Sequence, residues 1–221
     1  MERTCSVCGR AQQENASAPG SSTVAPIVPL SRAAGPGSLS LRAAAQTHPG
    51  RVRGTNEDSV LLVHMTGLLA GAGSPELGFF VVADGMGGHD RGEVASRRVV
   101  QQLAATVMDR VFKRVVLTGR GGDEAWLERT LHDSILTTNA DLHALQQASH
   151  SDMGTTLTAA LVVDGRVAIA NVGDSRTYLW RGGELRQITR DHSLVASLVA
   201  AGHLAPEASY THDQKAMIYR S

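Results

Sequence analysis

The residues best suited to chemistry gather where an apolar run meets glycine. In Val82-Ala83-Asp84-Gly85-Met86-Gly87-Gly88-His89 a carboxylate follows the run GFFVVA directly, and glycines follow the carboxylate. An acid at the mouth of an apolar strand is costly unless it is paired or bound to a cation, and glycines let backbone carbonyls or amides approach a ligand closely. The plainer alternative is an Asp that only caps the turn. A second cluster, Arg51-Val52-Arg53-Gly54-Thr55-Asn56-Glu57-Asp58, sets two acids beside a guanidinium able to hold a phosphate as a bidentate fork. A solvated charged turn is the alternative there. On extended backbone Arg53 and Glu57 share one face and Asp58 takes the other, so the two acids are not equivalent. One of them is expected to reach a metal through water.

Three further segments carry polar groups at turns. Asp152-Met153-Gly154-Thr155-Thr156 opens a strand. Val172-Gly173-Asp174-Ser175-Arg176 reads as a tight turn whose Asp174 and Arg176 are placed to pair. Gln187-Ile188-Thr189-Arg190-Asp191-His192-Ser193 reads as a helix start with Asp191 or Ser193 as the cap.

The elements that must position these groups are legible from periodicity. Residues 59–63 form a short apolar run, and 78–83 a continuous β-branched and aromatic run, which predicts a buried strand. Over 93–115 the apolar residues Val94, Ala95, Val99, Val100, Leu103, Ala104, Val107, Met108 and Val111 recur near a 3.6-residue period, which predicts a long helix; 123–147 predicts a second. Residues 156–163, 166–171 and 176–180 then alternate or run apolar around Asp164-Gly165 and Gly173-Asp174, an antiparallel meander. Two long helices between strand groups argue against regular βαβ alternation and for segregated layers, an α+β sandwich.

Composition bounds the rest. The chain has 221 residues with 42% hydrophobic content, enough for one domain with a core. Lys plus Arg and Asp plus Glu each number 21, so the net charge of zero gives no electrostatic footprint for nucleic acid or an anionic membrane. No apolar run reaches the roughly 18 residues that cross a bilayer, and MERTCSVCGR lacks the apolar core of a secretory signal, so a cytoplasmic location is expected. Residues 1–10 are a tail holding Cys5 and Cys8, half of a zinc knuckle without a second cysteine pair. A redox-inert tail is the simpler reading and zinc shared between two chains the other. Residues 11–46, rich in Ala, Ser, Pro and Gly, read as a flexible linker, and 47–221 as the folded domain.

Taken in order, Arg53-x-x-Asn56-Glu57-Asp58, VADGMGGH, MGTT, VGDSR and Thr189-x-Asp191-His192-Ser193 resemble the bacterial branch of the type 2C metal-dependent protein phosphatases over residues 47–221. The resemblance implies a β-sandwich flanked by helices on both sides, with two Mn²⁺ or Mg²⁺ ions at one end of the sheets. It implies Asp84 as the bridging ligand, the Gly85 carbonyl on one ion, Glu57 and Asp58 contributing directly or through water, and Arg53 on the substrate phosphate. Asp152 stands where relatives hold a third, looser metal. The activity implied is hydrolysis of phosphoserine and phosphothreonine in proteins phosphorylated by a bacterial serine/threonine kinase, by a metal-activated water attacking phosphorus in line. A histidine proposed as general acid in the eukaryotic branch aligns with Met86, so His89 takes no such role and the general acid is unassigned. The family pattern continues to two further metal-binding aspartates, in an SDGL segment and a DN pair, and neither motif occurs here. An incomplete C-terminal part of the fold is therefore expected. So is an alternative function, a non-catalytic pseudophosphatase that binds phosphoproteins or a partner.

Overall fold

A computed structural model describes residues 23–25, 41–51, 54–66, 75–87, 91–215 and 217–219, with only the backbone described at 23–25. Cys5, Cys8, Arg53 and His89 lie outside the described residues. The strands are β1 (Thr23–Ala25), β2 (Asp58–Met65), β3 (Leu77–Met86), β4 (Gly154–Thr155), β5 (Leu157–Val163), β6 (Arg166–Val172), β7 (Tyr178–Arg181) and β8 (Glu184–Gln187). The helices are α1 (Arg91–Thr118), α2 (Glu124–Ser149) and α3 (Leu194–Ala200), followed by a 3₁₀ turn at Pro206–Tyr210.

Six strands form one antiparallel sheet in the order β1-β6-β5-β3-β2, with β4 added to the end of β3, and β7 and β8 form a separate hairpin. Both long helices lie on one face of the six-stranded sheet. Their inner stripes, Val99, Leu103, Val107, Val111 and Val115 on α1 and Leu127, Leu131, Ile135 and Leu142 on α2, close over Phe79, Val81, Ala159, Leu161, Ala168 and Ala170. Each large side chain in this core contributes about 1.5–3 kcal/mol through burial. Helix α2 starts where the Asp123 carboxylate accepts from the Trp126 amide at 2.8 Å. It stops at His150 in the left-handed conformation (φ 48°). The β5–β6 hairpin turns at Asp164-Gly165 with φ of 51° and 74°, the two positive values a tight two-residue turn demands. At α3 the choice between caps is resolved for Ser193, whose hydroxyl accepts from the Ala196 amide at 3.3 Å.

The α+β class expected from the sequence is what the structure has, with differences in layering. Strand β3 is buried on one face only: Phe79, Val81 and Ala83 face the helices, whereas Phe80 and Val82 face away and Val82 is 41% exposed. With Val60, Leu62 and Ala160 they floor an open depression of about 580 Å³, rimmed by residues 42–46 and Tyr178. Among the described residues both long helices share one side of the six-stranded sheet, and the β7–β8 hairpin forms a second, two-stranded sheet. Within the stretch read as linker, Thr23–Ala25 pairs with β6 as an edge strand, and the Leu41 amide donates to Glu76 Oε1 at 2.7 Å.

Candidate metal centre

The site lies at the end of the sheet where β2 begins and β3 finishes. Their register sets Asp58 directly opposite Asp84, continuing a pairing that runs through Val60 with Val82 and Leu62 with Phe80. Partners in an antiparallel ladder point to the same side, so both carboxylates stand on the open face with Cβ atoms about 4.5–5.5 Å apart. Like charges directly opposite destabilise a sheet, and a cation between them reverses that cost.

Glu57 takes a different place. Its carbonyl accepts from the Gly85 amide at 3.2 Å and from the Ser96 hydroxyl of α1 at 2.6 Å. Its carboxylate lies against the first turn of α1, where a Cβ built on Gly92 would come within 2.9 Å of Glu57 Oε1. The inequivalence of Glu57 and Asp58 expected from strand alternation is therefore present. Gly85 sits where three backbones converge: a Cβ there would meet the Gly92 carbonyl oxygen at 2.1 Å and the Glu57 carbonyl oxygen at 2.7 Å. Asp152, exposed, precedes β4 by two residues, and β4 pairs Gly154 with Met86, so Asp152 belongs to the same end of the sheet.

The remaining motifs act as scaffolding for Asp84. Its amide donates to Thr156 Oγ1 at 3.0 Å, while its carbonyl accepts from the Thr156 amide at 2.9 Å and the Thr155 hydroxyl at 3.0 Å. Thr156 Oγ1 in turn bonds Ser175 Oγ at 2.7 Å. The turn holding Ser175 is locked by His192, whose amide donates to the Gly173 carbonyl at 2.9 Å and whose Nδ1 accepts from the Gly173 amide at 3.2 Å. That acceptor role puts the proton of the neutral ring on Nε2.

Arg176 does not pair with Asp174 as its spacing suggested. It forks onto Asp191, with Nε 2.9 Å and Nη2 2.7 Å from Oδ2, and Gln187 Nε2 donates to the other oxygen at 3.0 Å. Asp191 is thereby a buried strut of the turn, a role its local sequence, which reads as a cap, did not signal. The hydrogen bond to Asp191, and secondarily that to Tyr178, hold the guanidinium still more firmly in its charged form. Arg176→Ala leaves the buried Asp191 carboxylate with Gln187 but without its cation, and an expected loss of about 1.5–3 kcal/mol is measurable by urea unfolding.

The donors at the sheet end are hard oxygen groups, two facing carboxylates with a third acid and a glycine backbone beside them, and they suit Mg²⁺ or Mn²⁺ better than a softer metal. The set is sparse: among the described residues no three His, Cys, Asp or Glu side chains converge as a cation cage. These residues fit a divalent ion that keeps several water ligands.

Residues 69–205, more than half of the chain, match the family described as Protein phosphatase 2C. The chain belongs to that family. Protein phosphatase 2C relatives include the serine/threonine protein phosphatase PstP of Mycobacterium tuberculosis, 39% identical over 185 residues that make up 83% of this chain and 31% of that protein. The serine/threonine phosphatase stp of Listeria monocytogenes is 35% identical over 181 residues, 82% of this chain and 66% of that protein. The chain thus spans about a third of the first relative's length and just under two thirds of the second's. Among solved structures, the mycobacterial phosphatase PstP/Ppp superposes with a TM-score of 0.62 at 37% identity, covering 80% of this chain and 66% of that one. The catalytic domain of PstP in complex with two manganese ions gives 0.58 at 36% identity, covering 76% and 63%.

Proposed function

We propose that this protein phosphatase 2C chain hydrolyses phosphoserine and phosphothreonine in proteins, with Asp84 as the central ligand of Mn²⁺ or Mg²⁺. The observation that carries the reading is the register that sets Asp58 against Asp84 at the end of the sheet, beside the Gly85 backbone. Asp58 and the Gly85 carbonyl would complete the near side of the site, Glu57 would contribute from the α1 side directly or through water, and Asp152 would hold a looser ion. When bound, the divalent ions supply Lewis-acid activation of water and stabilise charge on the transferring phosphoryl group. The chain's own contribution is placement. Thr155 and Thr156 clamp the Asp84 backbone, and the Ser175 turn clamps Thr156.

Arg53 receives the substrate phosphate in this reading, four residues before Glu57 and suited to the task as a planar fork. Arg53→Ala is expected to weaken phosphate or substrate binding by about 1.5–3 kcal/mol and to leave metal affinity nearly unchanged. Competition by inorganic phosphate, measured alongside a Mn²⁺ titration, separates the two effects. Collapse of metal binding with phosphate affinity kept would reverse the roles given to Arg53 and the acids.

The substrates are proteins modified by a bacterial serine/threonine kinase, a reading supported by the bacterial serine/threonine phosphatases among the relatives. A cytoplasmic setting accords with the absence, among the described residues, of a helix long and apolar enough to cross a membrane. A second reading, a non-catalytic phosphoprotein-binding module, is favoured by one observation, the lack of a three-acid cage among the described residues. Assay of p-nitrophenyl phosphate and a phosphothreonine peptide with excess Mn²⁺ decides between them. Metal-dependent turnover supports the enzyme; peptide binding without turnover supports the module.

A further inference from the structure

A second polar site lies far from the carboxylates, on the outer side of the α1–α2 pair. There Asp109, Arg110, Lys113 and Arg114 of α1 and Trp126, Arg129, Thr130 and Asp133 of α2 line a groove of about 350 Å³. At about 1.5 Å per residue, Arg110 and Arg114 stand roughly 30 Å along α1 from Gly92, which touches Glu57. Four cations face two carboxylates here, in a chain whose net charge is zero.

The two acids are already engaged, Asp109 with Lys113 at 2.8 Å and Asp133 with Arg110 at 3.5 Å. The other two cations are left for a ligand. Arg114 stacks over Trp126 with its guanidinium carbon 4.7 Å from the ring centroid, and its buried Nε has no hydrogen-bond partner. Arg129 is exposed and has no carboxylate partner among the described residues. A buried N–H donor left unmade costs free energy, and a guanidinium spread on an aromatic face offers its edge to an oxyanion as a fork.

We propose that this groove binds a phosphorylated peptide segment, with Arg114 and Arg129 gripping the phosphate and Trp126 packing against the flanking residue. Arg clusters are the usual readers of phosphorylated side chains. The groove has roughly ten times a water's share of liquid volume, which leaves room for peptide beyond a single oxyanion. That the peptide is a segment of a substrate rests on the phosphatase reading; the binding itself does not. The groove then holds one phosphorylated stretch of a protein while another reaches the carboxylate end of the sheet.

Trp126 is the reporter. The chain has two tryptophans, so Trp180→Phe leaves Trp126 as the single emitter. Two short peptides of one sequence, with and without phosphate on a threonine, are titrated into this variant in EDTA, which silences the metal centre. Saturable change with the phosphopeptide alone is expected, weakening as salt is raised. Arg114→Gln with Arg129→Gln is expected to weaken it at least tenfold. Because Arg114 packs on Trp126, Arg129→Gln alone guards against a folding artefact and is expected to cost several-fold. Asp84→Asn is expected to leave the titration unchanged, so a failure of the phosphatase reading would not imitate a failure here. Equal binding of both peptides, indifference to Arg129→Gln, or displacement by inorganic phosphate at the concentration at which the peptide binds would overturn the proposal, the last by making free phosphate the ligand.

Discussion

Gly85→Ala is expected to destabilise the fold by about 3 kcal/mol. The added Cβ would lie 2.1 Å from the Gly92 carbonyl oxygen, 2.4 Å from its carbon and 2.7 Å from the Glu57 carbonyl oxygen. All three are backbone atoms, so no side chain can swing away. Relief requires the ends of β2 and β3 to separate from the first turn of α1. For a domain of this size the loss corresponds to a fall of roughly 6–12 °C in Tm. Gly54→Ala is the control, since a Cβ there meets nothing within 4 Å, and a change within about 0.5 kcal/mol is expected. Gly92→Ala should behave differently again. Its added Cβ meets the Glu57 carboxylate oxygen and the Gly85 backbone carbon, both at 2.9 Å, contacts longer than those at Gly85 and in part with a movable side-chain end, so it displaces the acid at smaller cost to the fold. Thermal unfolding by circular dichroism distinguishes the three, and Gly85→Ala melting with Gly54→Ala would contradict the packing described.

Asp84→Asn should have the largest functional effect, a loss of metal-dependent phosphate-ester hydrolysis of more than about a hundredfold, since even groups one shell removed from a metal are worth 10–100-fold. The fold is expected to survive. The bonds to Thr155 and Thr156 run through the backbone amide and carbonyl of residue 84, which Asn keeps. Removing one of two like charges on facing strands should even stabilise the metal-free chain slightly, by about 0.2–1 kcal/mol. Stabilisation by metal moves the other way: an ion at a hundred times its Kd adds about 2.7 kcal/mol to a chain that binds it only when folded, and the variant should forfeit that gain. Metal-free stability and the Mn²⁺-induced thermal shift therefore move in opposite directions on this one substitution, and turnover falls with the shift. Unchanged turnover would remove Asp84 from the site.

Much of this arrangement is legible in the residues because the signals are local. The helix expected over 93–115 occupies Arg91–Thr118, since its apolar period is strong and a few residues at each end fray or cap without changing it. Asp164-Gly165 and Ser193 carry their turn and cap chemistry in their own side chains and dihedrals. What escaped was non-local. Nothing near Arg176 marks Asp191 as its partner, because the two meet only when the turn after β6 folds against the segment leading into α3. The run Phe79-Phe80-Val81-Val82 is apolar at every position, so alternation could not reveal that one face of β3 lies open. Thr23–Ala25 is an edge strand inside a stretch whose composition suggests a linker, because three residues paired to β6 need few large side chains. At the site, the place of Asp84 follows from the run that ends at it, whereas its opposition to Asp58 depends on strand register, which pairing across the sheet decides.

The most direct test of the metal centre is a calorimetric titration of Mn²⁺ into the 221-residue chain and its Asp84→Asn variant. With two facing carboxylates and water filling the remaining positions, the wild-type chain should take up one ion weakly, and the variant should show no binding over the same range. Equal binding by both chains, or no binding by either, would contradict the assignment of Asp84 and Asp58 as the ligands that hold a divalent ion at the end of the sheet.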